Sequence, residues 1–350
     1  MRAFAPSTFE LGQFGRGASA GDWINQDRYH RELADVNGDN RADIVGFGDA
    51  GIYVALATTA GHFANSTFEL AAFGAGSSGG DWFSNNIYRR ELADVNGDNM
   101  DDIVGFGDAG TYVALATGAG HFANATFELA AFGAGASGGH WINDNTYHRQ
   151  LADVNGDGKA DIVGFGYAGT YVALATTNGH FANATLESTE FGAGPAAGSW
   201  FSDTFYHREL ADVNGDGKDD IVGFGHAGIY VSLATTNGHF ANSTFELADF
   251  GVASGWSNQD ARNRQLADVN GDGKADIVGF GPQGTHVALA TLNGHFAPAN
   301  LVFAEFGATD WASENLLPRE LADVNGDLKA DIVGFNVDGV HVALSEFVLI

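Results

Sequence analysis

Apolar residues recur along this chain in short alternating runs, four to a block, and the block is written six times. Within residues 33 to 73 the runs are LADV, DIVGFG, GIYVALAT and TFELAAF, separated by turns rich in Gly, Asn and Asp. Alternation of period two marks strands with one buried face, and nothing in the block repeats at the helical period. Copies of the first run place a leucine at Leu33, Leu92, Leu151, Leu210, Leu266 and Leu321, at spacings of 59, 59, 59, 56 and 55 residues. Self-similarity at such a period is the mark of stacked or ring-shaped repeats. Consecutive strands joined by tight turns make an antiparallel meander. The expected fold is therefore all-β: a six-bladed β-propeller of four-stranded antiparallel blades, one domain over residues 1–350.

The ends fit a closed ring. The chain opens with a fourth-strand sequence, STFELGQF (7–14), and finishes after a third strand, VHVALSEF (340–347). The N-terminal strand is expected to complete the last blade and remove an open sheet edge. Length varies only between the phenylalanine that ends each block and the next tryptophan, with gaps of 9, 9, 9, 9, 6 and 5 residues. Surface loops tolerate such changes, so this segment is read as a loop between blades.

Each LADV run leads into a turn such as DVNGDNRAD, with side-chain oxygens at positions 1, 3, 5 and 9. The six sets are Asp35, Asn37, Asp39 and Asp43; Asp94, Asn96, Asp98 and Asp102; Asp153, Asn155, Asp157 and Asp161; Asp212, Asn214, Asp216 and Asp220; Asp268, Asn270, Asp272 and Asp276; Asp323, Asn325, Asp327 and Asp331. Asn-Gly alone would explain a hairpin. Three carboxylates within nine residues would repel one another in a plain turn, and hard oxygen donors in that number select Ca²⁺. No bidentate glutamate and no flanking helices accompany the turn, so the ion is expected to be a structural staple. Position 6 needs a left-handed backbone that Gly adopts freely and Asn tolerates. It is Asn40, Asn99, Gly158, Gly217, Gly273 and Leu328, so the turn at Leu328 is expected to bind calcium most weakly.

Composition follows from these turns. With 44 acidic and 16 basic residues the formal charge is −28, which argues against nucleic-acid or anionic-membrane partners. There is no cysteine, hence no disulfide or thiol chemistry. The N-terminal sequence lacks a secretory pattern and no stretch is apolar enough to insert in a membrane. A cytoplasmic location, or release by a non-classical route, is expected; oligomeric state is not evident.

A DxNGDxxxD turn between strands, followed by FG, resembles the calcium turns of FG-GAP and VCBS-type propeller repeats, as in integrin α-subunit heads. The fuller pattern is a tryptophan ten residues before LADVNGD, then DIVGFG, YVALAT and NGHF, and it is similar to the Psathyrella velutina lectin family over essentially the whole chain. That resemblance implies binding of N-acetylglucosamine, and in some members sialic acid, in pockets between blades. The family's named member has seven blades where this chain counts six.

All six tryptophans occupy one repeat position, Trp23, Trp82, Trp141, Trp200, Trp256 and Trp311, each followed by polar residues. An indole face beside fixed amides and acids suits a pyranose, so a sugar site is expected from Trp23, Trp82, Trp141 and Trp200 with Asn25, Asn85, Asn143, Asp144 and Asp203, and with His30, His148 and His207. The competing reading makes each tryptophan a plug in the seam between blades. The short loops before Trp256 and Trp311 lack the inserted glycines and the Tyr-His pair present at Tyr147 and Tyr206, so about four good pockets are expected. Two further rings are read as structural. One is Arg31, Arg90, Arg149, Arg208, Arg264 and Arg319, each followed by Glu or Gln. The other is His62, His121, His180, His239 and His295, with each imidazole expected to bond a turn backbone. No acid, base or nucleophile breaks the sixfold pattern, so an enzyme is not expected. A multivalent lectin is, with an integrin-like protein-interaction scaffold as the alternative.

Overall fold

The computed structural model describes residues 3–347. Six four-stranded antiparallel sheets follow one another along the chain. The first blade comprises Arg31–Ala34, Asp43–Phe47, Ile52–Ala55 and Thr67–Leu70. The next four begin at Arg90, Arg149, Arg208 and Arg264 and repeat that order. The sixth takes Arg319–Ala322, Asp331–Phe335 and Val340–Ala343 from the end of the chain and Thr8–Leu11 from its start, pairing Thr8 with Val342 and Phe9 with His341. That pairing is the expected closure. The first strand of every blade touches the first strands of both neighbours, the sixth touching the first, so these strands ring a central axis.

Burial explains the composition of each strand. The second strand, DIVGF, is buried throughout because it has a strand on either side and a blade packed on each face. The fourth lies outermost, with only its last residue or two covered. Each apolar cluster straddles a seam: Val36, Val45, Phe47 and Val54 of the first blade pack with Leu92, Ile103 and Ala114 of the second. No blade buries its apolar face without a neighbour.

Three sets of polar contacts tie blade to blade. On one face, the position-8 amide of every Asp-rich turn donates to the position-1 carbonyl of the preceding blade, from Ala42 to Asp323 (2.8 Å) round to Ala330 to Asp268 (2.8 Å). On the other face, the third residue after each tryptophan donates its amide to the fourth residue of the preceding blade's segment, as in Asn85 to Asp27 (2.5 Å) and Gln259 to Thr204 (2.8 Å). Nearer the rim, His62, His121, His180, His239 and His295 pair with Glu10, Glu69, Glu128, Glu187 and Glu246 of the adjoining blade. These imidazoles bond a neighbouring carboxylate, not the turn backbone that the sequence suggested. At the remaining seam Ala3 and Val302 stand at the two positions, and Phe4 packs on Phe303 at 5.8 Å instead.

Candidate functional site

Each pocket starts from a glycine. A Cβ on Gly105 would lie 2.5 Å from Phe73 and 2.8 Å from Trp82, so only glycine lets the two rings lie on the second strand; Gly46, Gly164, Gly223, Gly279 and Gly334 are equally confined. The phenylalanine reaches that place through a left-handed backbone, φ 56–60° in Phe14, Phe73, Phe132, Phe191, Phe250 and Phe306. Such a conformation is unfavourable for a bulky residue. Its carbonyl is held by the arginine ring: Arg90 Nη1 donates to Phe73 O at 3.1 Å, with counterparts at 2.8–3.2 Å in the other blades. Every one of these arginines is fully buried and lies over a phenylalanine of the preceding blade at 4.8–5.3 Å. They are structural, as expected. Their partners are not the Glu or Gln that follows but residues further back, for example Gln26, Asn85 and Asp144.

Above that support Trp23, Trp82 and Trp200 each form the floor of an open cavity. Trp82 meets Tyr88 and Tyr112 edge-on at 5.9 and 6.1 Å, and Tyr29/Tyr53, Tyr147/Tyr171 and Tyr206/Tyr230 flank Trp23, Trp141 and Trp200 in the same way. The cavities at Trp82 and Trp200 measure about 510 Å³ each, and that at Trp23 about 700 Å³. Exposed Phe83 and Phe201 line the cavities at Trp82 and Trp200. In the fifth blade Arg262 and His286 replace the tyrosines, and in the sixth Leu317 and His341 do. The tyrosine pair is thus a feature of four blades, those with the longer loops. The sequence reading used only its first member, as at Tyr147 and Tyr206, because the second lies 30 residues after the tryptophan and meets the first only in the folded blade.

The other residues expected beside the tryptophans lie elsewhere. Asn25 and Asn143 accept the amides of Arg28 and Thr146, both at 2.8 Å, and so hold their own turns. Asn85, Asp144 and Asp203 line the mouth of the axis, a space of about 250 Å³ shared by all six blades. Asp144 binds Arg149 and His148 (3.2 and 2.8 Å), and Asp203 binds His207 at 2.7 Å. Burial opposes ionisation there, but His148 with Arg89, and His148 with His207, hold the two carboxyls well below the usual range. His207 in turn is pushed up to about 9, Asp203 outweighing burial. His30 is buried against Phe47 and held well below its ordinary value, first by burial and then by Arg89 and Arg90. The expected sugar constellation therefore divides in two: the tryptophans belong to the pockets, and the polar run after them closes the ring.

The Asp-rich turns present one arrangement six times. Asp35 accepts the amides of Gly38 and Asn40 at 2.7 and 2.6 Å. Asp43, fully buried, accepts the amide of Ala57 at 2.6 Å and the Asn37 side-chain amide at 2.9 Å. Burial first, then the nearby Asp39 and Asp35 charges, push Asp43 up to about 7 against the pull of backbone donors. Position 6 is left-handed throughout, φ 61° at Asn40 and 67° at Leu328. Lys159 turns back onto Asp157 at 2.8 Å while its stem covers Gly97 of the preceding blade. Among the described residues no three His, Asp or Glu side chains converge as metal ligands, so hydrogen bonds hold the turn as it stands. The donor chemistry nevertheless fits a hard cation: only oxygens are offered, one of them a buried carboxylate disfavoured by two like charges.

The FG-GAP-like repeat family matches residues 268–334, from the fifth Asp-rich turn to the second strand of the sixth blade. No curated protein matches the chain. Among solved structures, an Agrocybe aegerita lectin described as recognising non-reducing terminal N-acetylglucosamine is 35% identical, with a TM-score of 0.74, over 94% of this chain and 79% of that one. A Bacillus licheniformis rhamnogalacturonan lyase (13% identical, TM-score 0.38, 93% of this chain and 72% of that) and a TcdB2–TccC3 complex (16%, 0.47, 91% and 14%) are too distant to bear on this chain. Six four-stranded blades, FG-GAP-like turns and an identity of 35% across most of both molecules together place this chain in the Psathyrella velutina lectin-like family of β-propellers.

Proposed function

We propose that the protein is a multivalent lectin that takes N-acetylglucosamine-type glycan termini in the tryptophan pockets of its first four blades. The observation that carries this reading is the repeated cradle of one tryptophan between two tyrosines at the floor of an open cavity, in a chain 35% identical to a lectin for that sugar. Against such a cradle a pyranose lays its C–H face while its acetamido methyl finds apolar cover. Polar contact is supplied at the edge, as in the first blade, where Asp49 accepts from Tyr29 at 3.1 Å and can accept further hydroxyls. Single sites of this kind bind weakly, and several on one rigid disc gain avidity of ~10²–10⁴ on a glycan surface.

In the same proposal Asp35, Asn37, Asp39 and Asp43, and their five counterparts, hold Ca²⁺ as a structural ion, with the turn at Leu328 weakest because its backbone is strained. A bound divalent cation there would offset the crowding of carboxylates. A glycan array read with and without EDTA tests both parts. Hits on terminal N-acetylglucosamine, with sialylated glycans as a second class, weakened by the chelator, are expected. An array without hexosamine hits would refute the lectin reading, and hits indifferent to EDTA would refute the ion's role.

A further inference from the structure

The four aromatic cradles share their walls but not their charge. The residue before the phenylalanine that ends each block is Gln13, Ala72, Ala131 and Glu190, and the Glu190 carboxylate is engaged by the Ser243 amide at 2.8 Å. Two further positions at each mouth vary: the residue before the tryptophan and the residue after the FG of the second strand. They are Asp22 and Asp49 in the first blade, Asp81 and Asp108 in the second, His140 and Tyr167 in the third, and Ser199 and His226 in the fourth. In the first, Arg28 neutralises Asp49 at 2.8 Å. In the second, Ile87 stands at the position of Arg28, and Asp108 receives only the Tyr88 hydroxyl among the contacts seen. The second cavity is therefore walled by Trp82, Phe83, Tyr88 and Tyr112 and carries two carboxylates, with no Lys, Arg or His in its lining.

Aromatic faces and unneutralised carboxylates together are how proteins hold an ammonium group, through the ring quadrupole and charge-assisted hydrogen bonds. We infer that the pocket at Trp82 takes a hexosamine bearing a free amine, a de-N-acetylated glucosamine unit, while the pocket at Trp200 takes the acetylated sugar. The inference rests on the lectin reading above and divides it: the disc reads two states of one sugar at different blades. Asp81 sits in a left-handed backbone (φ 62°) beside Gly80, which carries its carboxylate to the cavity lip.

Calorimetry with short glucosamine oligomers, and in parallel with their fully N-acetylated counterparts, tests this on the intact protein. Asp108→Asn is expected to weaken the free-amine oligomer about tenfold, the size of one charge-assisted hydrogen bond, and to leave the acetylated oligomer unchanged. Glu346→Gln, an exposed change of the same formal charge far from the pocket, controls for attraction of a cationic ligand to an acidic protein and is expected to change neither. Binding of the amine should also fall as pH rises through the titration of an amino group, at about 8; Asp81, Asp108, Tyr88 and Tyr112 are the ionisable groups that face it. Equal loss in Asp108→Asn and Glu346→Gln, or no loss in either, overturns the inference while the acetylated oligomer still reports on the lectin. Failure of both oligomers to bind the wild type overturns both.

Discussion

At the scale of single residues, backbone conformations decide more than contacts do. Leu328 holds φ 67° with its side chain 75% exposed, at a position where two other turns use Asn and three use Gly. Nothing is gained from its apolar surface. Leu328→Asn should therefore raise stability by about 1 kcal/mol in urea unfolding, since the left-handed cost for an ordinary side chain is of that order. Gly105 is the opposite case. Gly105→Ala should cost about 2 kcal/mol, as overpacking against two rings does, and should weaken sugar binding in that blade by shifting Trp82. The first of these was legible in the sequence, because the six turns align residue by residue and Leu328 is the odd member. The second was not. DIVGFG reads as a strand with a flexible glycine, and only the folded blade shows an indole and a phenyl ring lying where a Cβ would be.

At the scale of elements, the four strands of each blade and their turns follow from alternation and from Gly and Asn placement, and the structure reproduces them. What alternation does not encode is which way the innermost strand's polar residues face. Glu32 points into the axial ring, where one oxygen accepts the Leu92 amide at 3.1 Å and the other meets His30 at 3.0 Å. Burial pushes its carboxyl from 4.5 up to about 7, with Arg89 opposing. A carboxylate whose folded pKa lies above its unfolded one holds its proton more tightly in the native state. It therefore removes stability as pH rises from about 4.5 to about 7, and the loss remains at higher pH. Gln150, at the same place in the third blade, accepts the Leu210 amide at 3.0 Å without that penalty. Glu32→Gln should accordingly leave the melting temperature unchanged near pH 4 and raise it at pH 8, by the equivalent of roughly 3 kcal/mol. A gain of equal size at both pH values would mean that ionisation is not the cause. The same inward orientation explains the division of the expected sugar site. The amides and acids after each tryptophan suit a pyranose by their chemistry. Their fixed place instead serves a ring of amide-to-carbonyl bonds around the axis mouth.

At the scale of the whole molecule, the ring is closed by one short strand. Thr8–Leu11 covers the edge of Val340–Ala343, and the adjoining seam is the one without a His–Glu pair. Deleting residues 1–14 should leave that edge bare, lower the unfolding temperature and give concentration-dependent association in light scattering. A deletion variant that stays monomeric with unaltered stability would show that closure rests on the other five seams. Blade number and closure were legible in the sequence, and so was the four-plus-two division of the tryptophan surroundings, from loop length and the tyrosine six residues on. The separation of axis from pocket was not, because residues three places apart in sequence, Trp82 and Asn85, serve different surfaces of the disc. The central claim is that the tryptophan–tyrosine cradle is the sugar site. A crystal soaked in N-acetylglucosamine tests it most directly. Density for the sugar against tyrosine-flanked tryptophans, Trp200 first among them, and none at Trp256 or Trp311, is the predicted result; sugar confined to the axial mouth, or spread equally over all six blades, would contradict it.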